Sequence, residues 1–212
     1  MAQRTLFDDV EKCDNIVEIP YNSMDYPQKL RQIKNYPRTL YAKGNTKLLK
    51  SERLVAIVGT RNVSDLGVVK TKKVTEHFTS EGYGVVSGLA LGVDTIAIRT
   101  ALIKGAKVVA VLPCIDVVMP KSNYKLAGEI VDKEGLLLSE HRGKVKKYYF
   151  VQRNRIISGL ADFVVVVESG ASGGTVHTVK FALEQNKDVY VFDDLTYDRL
   201  KRKGFNVKKL RL

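Results

Sequence analysis

Three polar, glycine-bearing turns and one arginine-rich segment hold the side chains of this sequence best suited to act on a ligand. The turns are Gly59-Thr60-Arg61, Ser87-Gly88-Leu89-Ala90-Leu91-Gly92-Val93-Asp94 and Ser169-Gly170-Ala171-Ser172-Gly173-Gly174-Thr175. Small residues let the backbone approach a ligand closely, and free N–H groups at the helix starts that follow offer positive dipole ends to phosphate. The segment from Arg142 to Arg155 contains six bases (Arg142, Lys144, Lys146, Lys147, Arg153, Arg155) and no acid, with Tyr148, Tyr149 and Phe150 among them. Bases interleaved with rings suit a single nucleic-acid strand, whose phosphates need cations and whose unpaired bases need stacking faces. A basic face kept for solubility is the plainer reading. It does not ask for three aromatics in one place.

The charge of the whole chain points the same way. Its 212 residues carry 35 Lys and Arg against 23 Asp and Glu, a formal net charge of +12, which favours a polyanionic partner where the excess is clustered. A second run, Arg199 to Leu212, adds seven bases and again no acid. Two cysteines, Cys13 and Cys114, form neither a disulfide framework nor a metal-type pair. No apolar run approaches the ~18 residues of a membrane span, and the first residues lack the apolar stretch of a signal peptide. A cytoplasmic protein without a membrane partner is expected.

Two nucleotide motifs are excluded by spacing. The dinucleotide fingerprint needs G-x-G-x-x-G on the first turn, but Gly59-Thr60-Arg61-Asn62-Val63-Ser64 lacks the second and third glycines. No G-x-x-x-x-G-K-[ST] loop occurs, and Gly170–Thr175 has no lysine. His77, His141 and His177 lack the Cys, Asp or Ser partners of a triad or a metal site.

The elements that position these turns are legible from Leu54 onward. Apolar runs at Leu54–Val58, Gly84–Ser87, Lys107–Leu112, Leu136–Ser139, Phe163–Glu168 and Asp188–Phe192 do not alternate with polar residues, as befits strands covered on both faces. Between them the pattern predicts helices near 66–81, 94–104, 122–134, 152–160 and 174–186, several closed by a glycine (Gly82, Gly105, Gly135). The expected fold is α/β: a doubly wound, mostly parallel, Rossmann-like sheet of about six strands with helices on both faces and a ligand site at the C-terminal strand ends. Residues 1–50 read as a lead-in cap, 51–194 as the core, and 195–212 as a basic tail of a short helix ending at Gly204 and an edge strand.

Taken together, Val55–Arg61, Ser87–Asp94, Ser139-Glu140, Phe150–Leu160, Val166–Glu168 and Ser172-Gly173 resemble the DNA-processing protein A (DprA/Smf) family. Tyr26-Pro27, Leu30, Pro37, Leu40-Tyr41 and Gly44 resemble that family's segment before its core, so the likeness runs over about residues 24 to 192. The resemblance implies a cytosolic protein that binds single-stranded DNA, dimerises through the core and helps load the RecA recombinase during natural transformation. By matching motif, Gly59, Thr60, Arg61, Ser87, Gly88, Phe150, Arg153, Asn154 and Arg155 would line the strand groove, with Lys146, Lys147, Ser172 and Gly173 completing the candidate surface. The chain departs from the family at Leu91, Ile98 and Val151, where an arginine, a histidine and a proline are usual, and the additional terminal domains of many members are not expected here. An enzyme of the Lonely-guy (LOG) type is the alternative within this group of folds. That type carries a glutamate within three residues of its Gly-Gly-x-Gly-Thr loop, and here Val176-His177-Thr178 follows Thr175. No catalytic activity, cofactor or metal is expected. A nucleotide sensor using the turn after Glu168 is the second reading.

Overall fold

A computed structural model describes residues 15–51, 53–170 and 173–212. The readings made on Cys13 and Ser172 fall outside them. Two strands, β1 (Val17–Pro20) and β2 (Thr39–Gly44), flank α1 (Gln28–Arg31), and α2 (Leu48–Ser51) leads into the core. There β3 (Leu54–Val58), α3 (Asp65–Ser80), β4 (Gly84–Ser87), α4 (Val93–Ile103), β5 (Val108–Val111), α5 (Tyr124–Asp132) and β6 (Leu136–Ser139) follow one another. Two short helices, α6 (Tyr149–Gln152) and α7 (Asn154–Leu160), precede β7 (Phe163–Val166), α8 (Gly174–Glu184), β8 (Val189–Val191), α9 (Asp194–Arg202) and β9 (Lys208–Lys209).

All nine described strands form one sheet in the order β1-β2-β6-β5-β4-β3-β7-β8-β9. The six expected strands are its parallel centre, and their residues are almost wholly buried because helices cover both faces. Three strands outside that centre extend the edges: β9, where the sequence predicts the tail's edge strand over Phe205–Lys208, and β1 and β2, which it does not predict. β1 and β2 pair antiparallel, and β2 pairs antiparallel with β6, so the lead-in segment is stitched into the sheet. Ile19, Leu40 and Ala42 bury their side chains there, alternating with exposed neighbours in β1 and half-buried ones in β2. The basic tail supplies α9 and the two-residue β9. The sequence predicts one helix over 152–160; the structure breaks it into α6 and α7, which share Arg153 at their junction.

Two apolar layers, one on each face, make the core. One gathers Leu30, Leu40, Val86, Ile156 and Val164 under α1, α7 and α8; the other gathers Val55, Ile57, Ile98, Leu126 and Ile130 under α3, α4 and α5. The chain runs β3 to β6 in one direction and then returns to the other side of β3 with β7. That reversal opens a crevice at the C-terminal end of β3, where ligands of open α/β sheets bind. No described helix is long and apolar enough to cross a membrane.

Candidate nucleic-acid interface

The three glycine-bearing turns meet at the reversal. Thr60 donates its N–H to the carbonyl of Glu168 (2.7 Å), and Val93 donates to the carbonyl of Thr60 (3.1 Å), so the ends of β3, β4 and β7 are laced together. Gly59 is glycine for packing: a Cβ there would stand 2.5 Å from Cγ2 of Val93 and 2.7 Å from the Glu168 carbonyl oxygen. Glu168 does not orient an arginine. Its carboxylate accepts from the N–H and the hydroxyl of Ser64 (3.2 and 2.9 Å), while the Ser64 hydroxyl accepts from Gly67 N and caps α3. This fixes the segment that carries Arg61.

The second turn is held by Asp94, whose buried carboxylate accepts from the N–H groups of Gly88 and Ala90 (3.1 and 3.3 Å). Between them Leu89 has φ 58, a conformation that costs a non-glycine residue energy and persists only where its surroundings impose it. Asn123 Nδ2 donates to the Leu89 carbonyl (3.0 Å) and completes the restraint.

Above these turns lies a cleft of about 770 Å³, within the range of ligand pockets. Of the residues singled out from the sequence, Gly59, Thr60, Arg61, Lys147, Phe150, Arg153, Asn154 and Gly173 line it. Arg61 is exposed and carries no ion pair among the described residues, as a phosphate clamp requires. Phe150 is half-buried and lines the same cleft. At the α8 end, no atom of the described residues stands within 4 Å of a Cβ added to Gly173 or Gly174, both of which line the cleft.

Four of the residues assigned to the groove are elsewhere. Arg155 is buried: its guanidinium holds Glu140 with two bonds (2.5 and 2.6 Å) and donates through Nε to the Asn35 carbonyl (2.7 Å). Ser87 is buried with its hydroxyl on the Ile57 carbonyl (2.8 Å), and Gly88 lies beneath Arg153, whose Nη2 would be 2.6 Å from an added Cβ. Lys146 is exposed but outside the cleft, 6.0 Å from the Tyr149 ring. The aromatic trio divides as well. Tyr149 is buried in a stack on His141 at 3.5 Å, Tyr148 is exposed, and only Phe150 faces the cleft.

Arg153 lies at the cleft floor but is only 5% exposed. Its Nη1 donates to the carbonyls of Gly88 and Val111, tying the ends of β4 and β5, and its Nε has no hydrogen-bond partner among the described residues. Burial, together with the nearby Arg61 charge and against the pull of Asp94, brings its pKa down to about 10, so it remains charged at neutral pH. Burial likewise raises the Asp94 carboxyl, against the Arg153 charge and the N–H groups it accepts from.

The basic tail is partly neutralised. Lys208 pairs with Asp188 (2.8 Å), Lys209 with Asp194 (2.6 Å), and Arg199 donates to the Ser169 carbonyl behind the third turn. Replacing Arg202, Lys203, Lys208 and Lys209 with glutamine is expected to change oligonucleotide affinity less than about threefold at 0.15 M salt, where distant charges are screened. A loss of tenfold or more in an anisotropy titration would make the tail part of the interface.

Asp94 and Glu168, which hold two of the three turns, were not assigned those roles from sequence. For Asp94 the signal is an acid in the first turn of a helix opened by glycine. Glu168 bonds across 104 residues of sequence and leaves no local signal.

The family described as DNA recombination-mediator protein A matches residues 18–207. DNA processing protein DprA of Bacillus subtilis is 36% identical over 183 residues, covering 85% of this chain and 61% of the relative. The protein of the same name from Streptococcus pneumoniae is 38% identical over 178 residues, covering 82% and 62%. The chain thus spans about six-tenths of the length of these relatives. Among solved structures, Streptococcus pneumoniae DprA superposes with a TM-score of 0.84 at 31% identity, over 98% of this chain and 75% of that one. A structure titled for the single-stranded DNA binding mode of Helicobacter pylori DNA processing protein A superposes with 0.79 at 30% identity, over 91% and 90%. A molybdenum cofactor carrier protein of Chlamydomonas reinhardtii, with TM-score 0.53 and 17% identity over 76% and 91%, shares the fold alone.

Proposed function

The chain belongs to the DNA recombination-mediator protein A family, and from that membership we propose that its cleft holds single-stranded DNA, in the cytoplasm and without catalysis. The observation that carries this reading is that one open cleft is lined both by an arginine with no ion pair among the described residues and by a half-buried phenylalanine. The Arg61 guanidinium presents a fork that bonds two phosphate oxygens at once, and the Phe150 ring offers a face to one unpaired base. Recognition by phosphate and ring face carries little sequence information, which fits a mediator acting on any strand. The Helicobacter pylori relative, whose title states single-stranded DNA binding, supports it. Homodimerisation and loading of the RecA recombinase extend the proposal from the same membership.

The test is a titration of oligonucleotides over length and salt. Affinity should fall with salt at a log–log slope of about −0.7 per phosphate neutralised. Arg61→Ala should reduce that slope by about 0.7 and weaken binding about tenfold or more, the worth of a charge-assisted bond of about 1.5–3 kcal/mol. Phe150→Ala should cost about 1–3 kcal/mol with the slope unchanged, because a stacked base releases no counterion. Unchanged affinity in both variants would remove the groove. The second reading, a nucleotide sensor, is favoured by Gly173 and Gly174, both of which line the cleft; it requires that one mononucleotide saturate the cleft and that longer oligonucleotides bind no more tightly.

A further inference from the structure

A third basic stretch lies outside both runs discussed so far. From Tyr26 to Lys50 there are seven bases and no acid. Lys29 and Lys50 are paired with Asp162 and Asp25, and Arg31 lies over the rings of Tyr21 and Tyr26. Lys34 and Arg38 are exposed and carry no ion pair among the described residues. They bracket Tyr36, which is 41% exposed and stacked on Tyr21, with ring centroids 4.3 Å apart and planes 24° from parallel.

The register puts this platform on the same rim of the sheet as the cleft. β2 runs antiparallel to β6, with Tyr41 opposite Ser139, the last residue of β6, so Thr39 and Arg38 project past the C-terminal strand ends. Pro20 pairs with Thr39, and Tyr21 donates its N–H to the Arg38 carbonyl (2.8 Å), which brings Tyr21 to that end too. A continuous set of contacts joins the platform to the cleft. Asn35 is bonded to Arg155, Arg155 to Glu140, Glu140 lies 3.7 Å from His141, and His141 stacks on Tyr149, the neighbour of Phe150. Lys146, 6.0 Å from the Tyr149 ring, adds an exposed cation beside this set of contacts.

We propose that Tyr36, Lys34 and Arg38 form a second contact for the same single-stranded DNA, reached when the strand leaves the cleft past Lys146. The inference rests on the cleft reading above. A preformed stack of two rings keeps the exposed face of Tyr36 in place, and two unpaired cations beside it suit the phosphates on either side of a stacked base.

The experiment compares oligothymidylates of about 4 and about 16 nucleotides, the ends of the range that a single-strand-binding OB fold covers. Lys34→Gln/Arg38→Gln should leave the short strand within about twofold and reduce the magnitude of the salt slope for the long one by about 1.4, two phosphates at about 0.7 each. Tyr36→Ala should weaken the long strand about tenfold and spare the short one. Because this variant also opens the Tyr21 stack, the lysine and arginine variant keeps the test valid if Tyr36→Ala does not fold. Equal effects at both lengths, or none at either, would overturn the second contact. Arg61→Ala should impair both lengths. If it does and Lys34→Gln/Arg38→Gln is silent, only the platform falls; if the unsubstituted protein binds neither length, the cleft reading falls with it.

Discussion

Replacing Arg155 with alanine should lower the unfolding free energy by about 3–5 kcal/mol, the cost of leaving one charge of a buried pair without its partner. The stranded charge would be Glu140, whose side chain is 8% exposed and whose two oxygens both accept from Arg155. The same substitution frees the Asn35 carbonyl, so the lead-in segment loses a tie to α7. Urea unfolding followed by circular dichroism measures the loss. Arg155→Met combined with Glu140→Leu should be less harmful than either change alone, since an apolar pair of similar volume removes both desolvation costs. A loss below about 1 kcal/mol for Arg155→Ala would show an interaction no stronger than a surface ion pair.

Gly92→Ala should damage stability and strand binding together. Gly92 has φ 74 and ψ −128, a region essentially closed to residues with a Cβ, so the conformation alone costs about 1–3 kcal/mol. The added carbon would also stand 2.3 Å from the Thr60 carbonyl oxygen and 2.6 Å from that of Arg61, and neither backbone atom can swing aside as a side-chain tip can. Relief requires the Thr60–Arg61 turn to move, which takes the Arg61 guanidinium out of register with the cleft. Oligonucleotide affinity should fall as far as in Arg61→Ala, by the worth of one charge-assisted contact, about 1.5–3 kcal/mol. A variant that melts normally and binds with full affinity would sever the proposed link between this turn and the site.

The parallel centre of the sheet was legible because burial on both faces leaves an unmistakable pattern. Val108–Val111 has no polar residue to alternate with, and the glycines that close the neighbouring helices punctuate it. β1 and β2 left a weaker trace. The β6 strand that anchors β2 lies about a hundred residues away, β1 reaches the sheet only through β2, and Pro20 and Pro37 read locally as breaks in regular structure. The turns that build the cleft were visible as clusters of glycine and serine. The direction of each charged or aromatic side chain was not. An arginine at a helix start looks the same whether it faces solvent or is drawn inward, and what draws Arg155 inward, Glu140, belongs to another element. Tyr149 and Phe150 are adjacent, yet one turns to His141 and the other to the cleft, a division set by the phase of a four-residue helix.

The two ends of the sheet limit how copies of the chain can meet. Pro20, in the outermost strand β1, has no N–H to offer a newcomer, and at the far margin the ladder finishes in two adjacent lysines, Lys208 and Lys209. Both margins therefore discourage a foreign strand from adding itself and seeding runaway aggregation. For a second copy that joins this one, the helical faces are therefore the less obstructed approach.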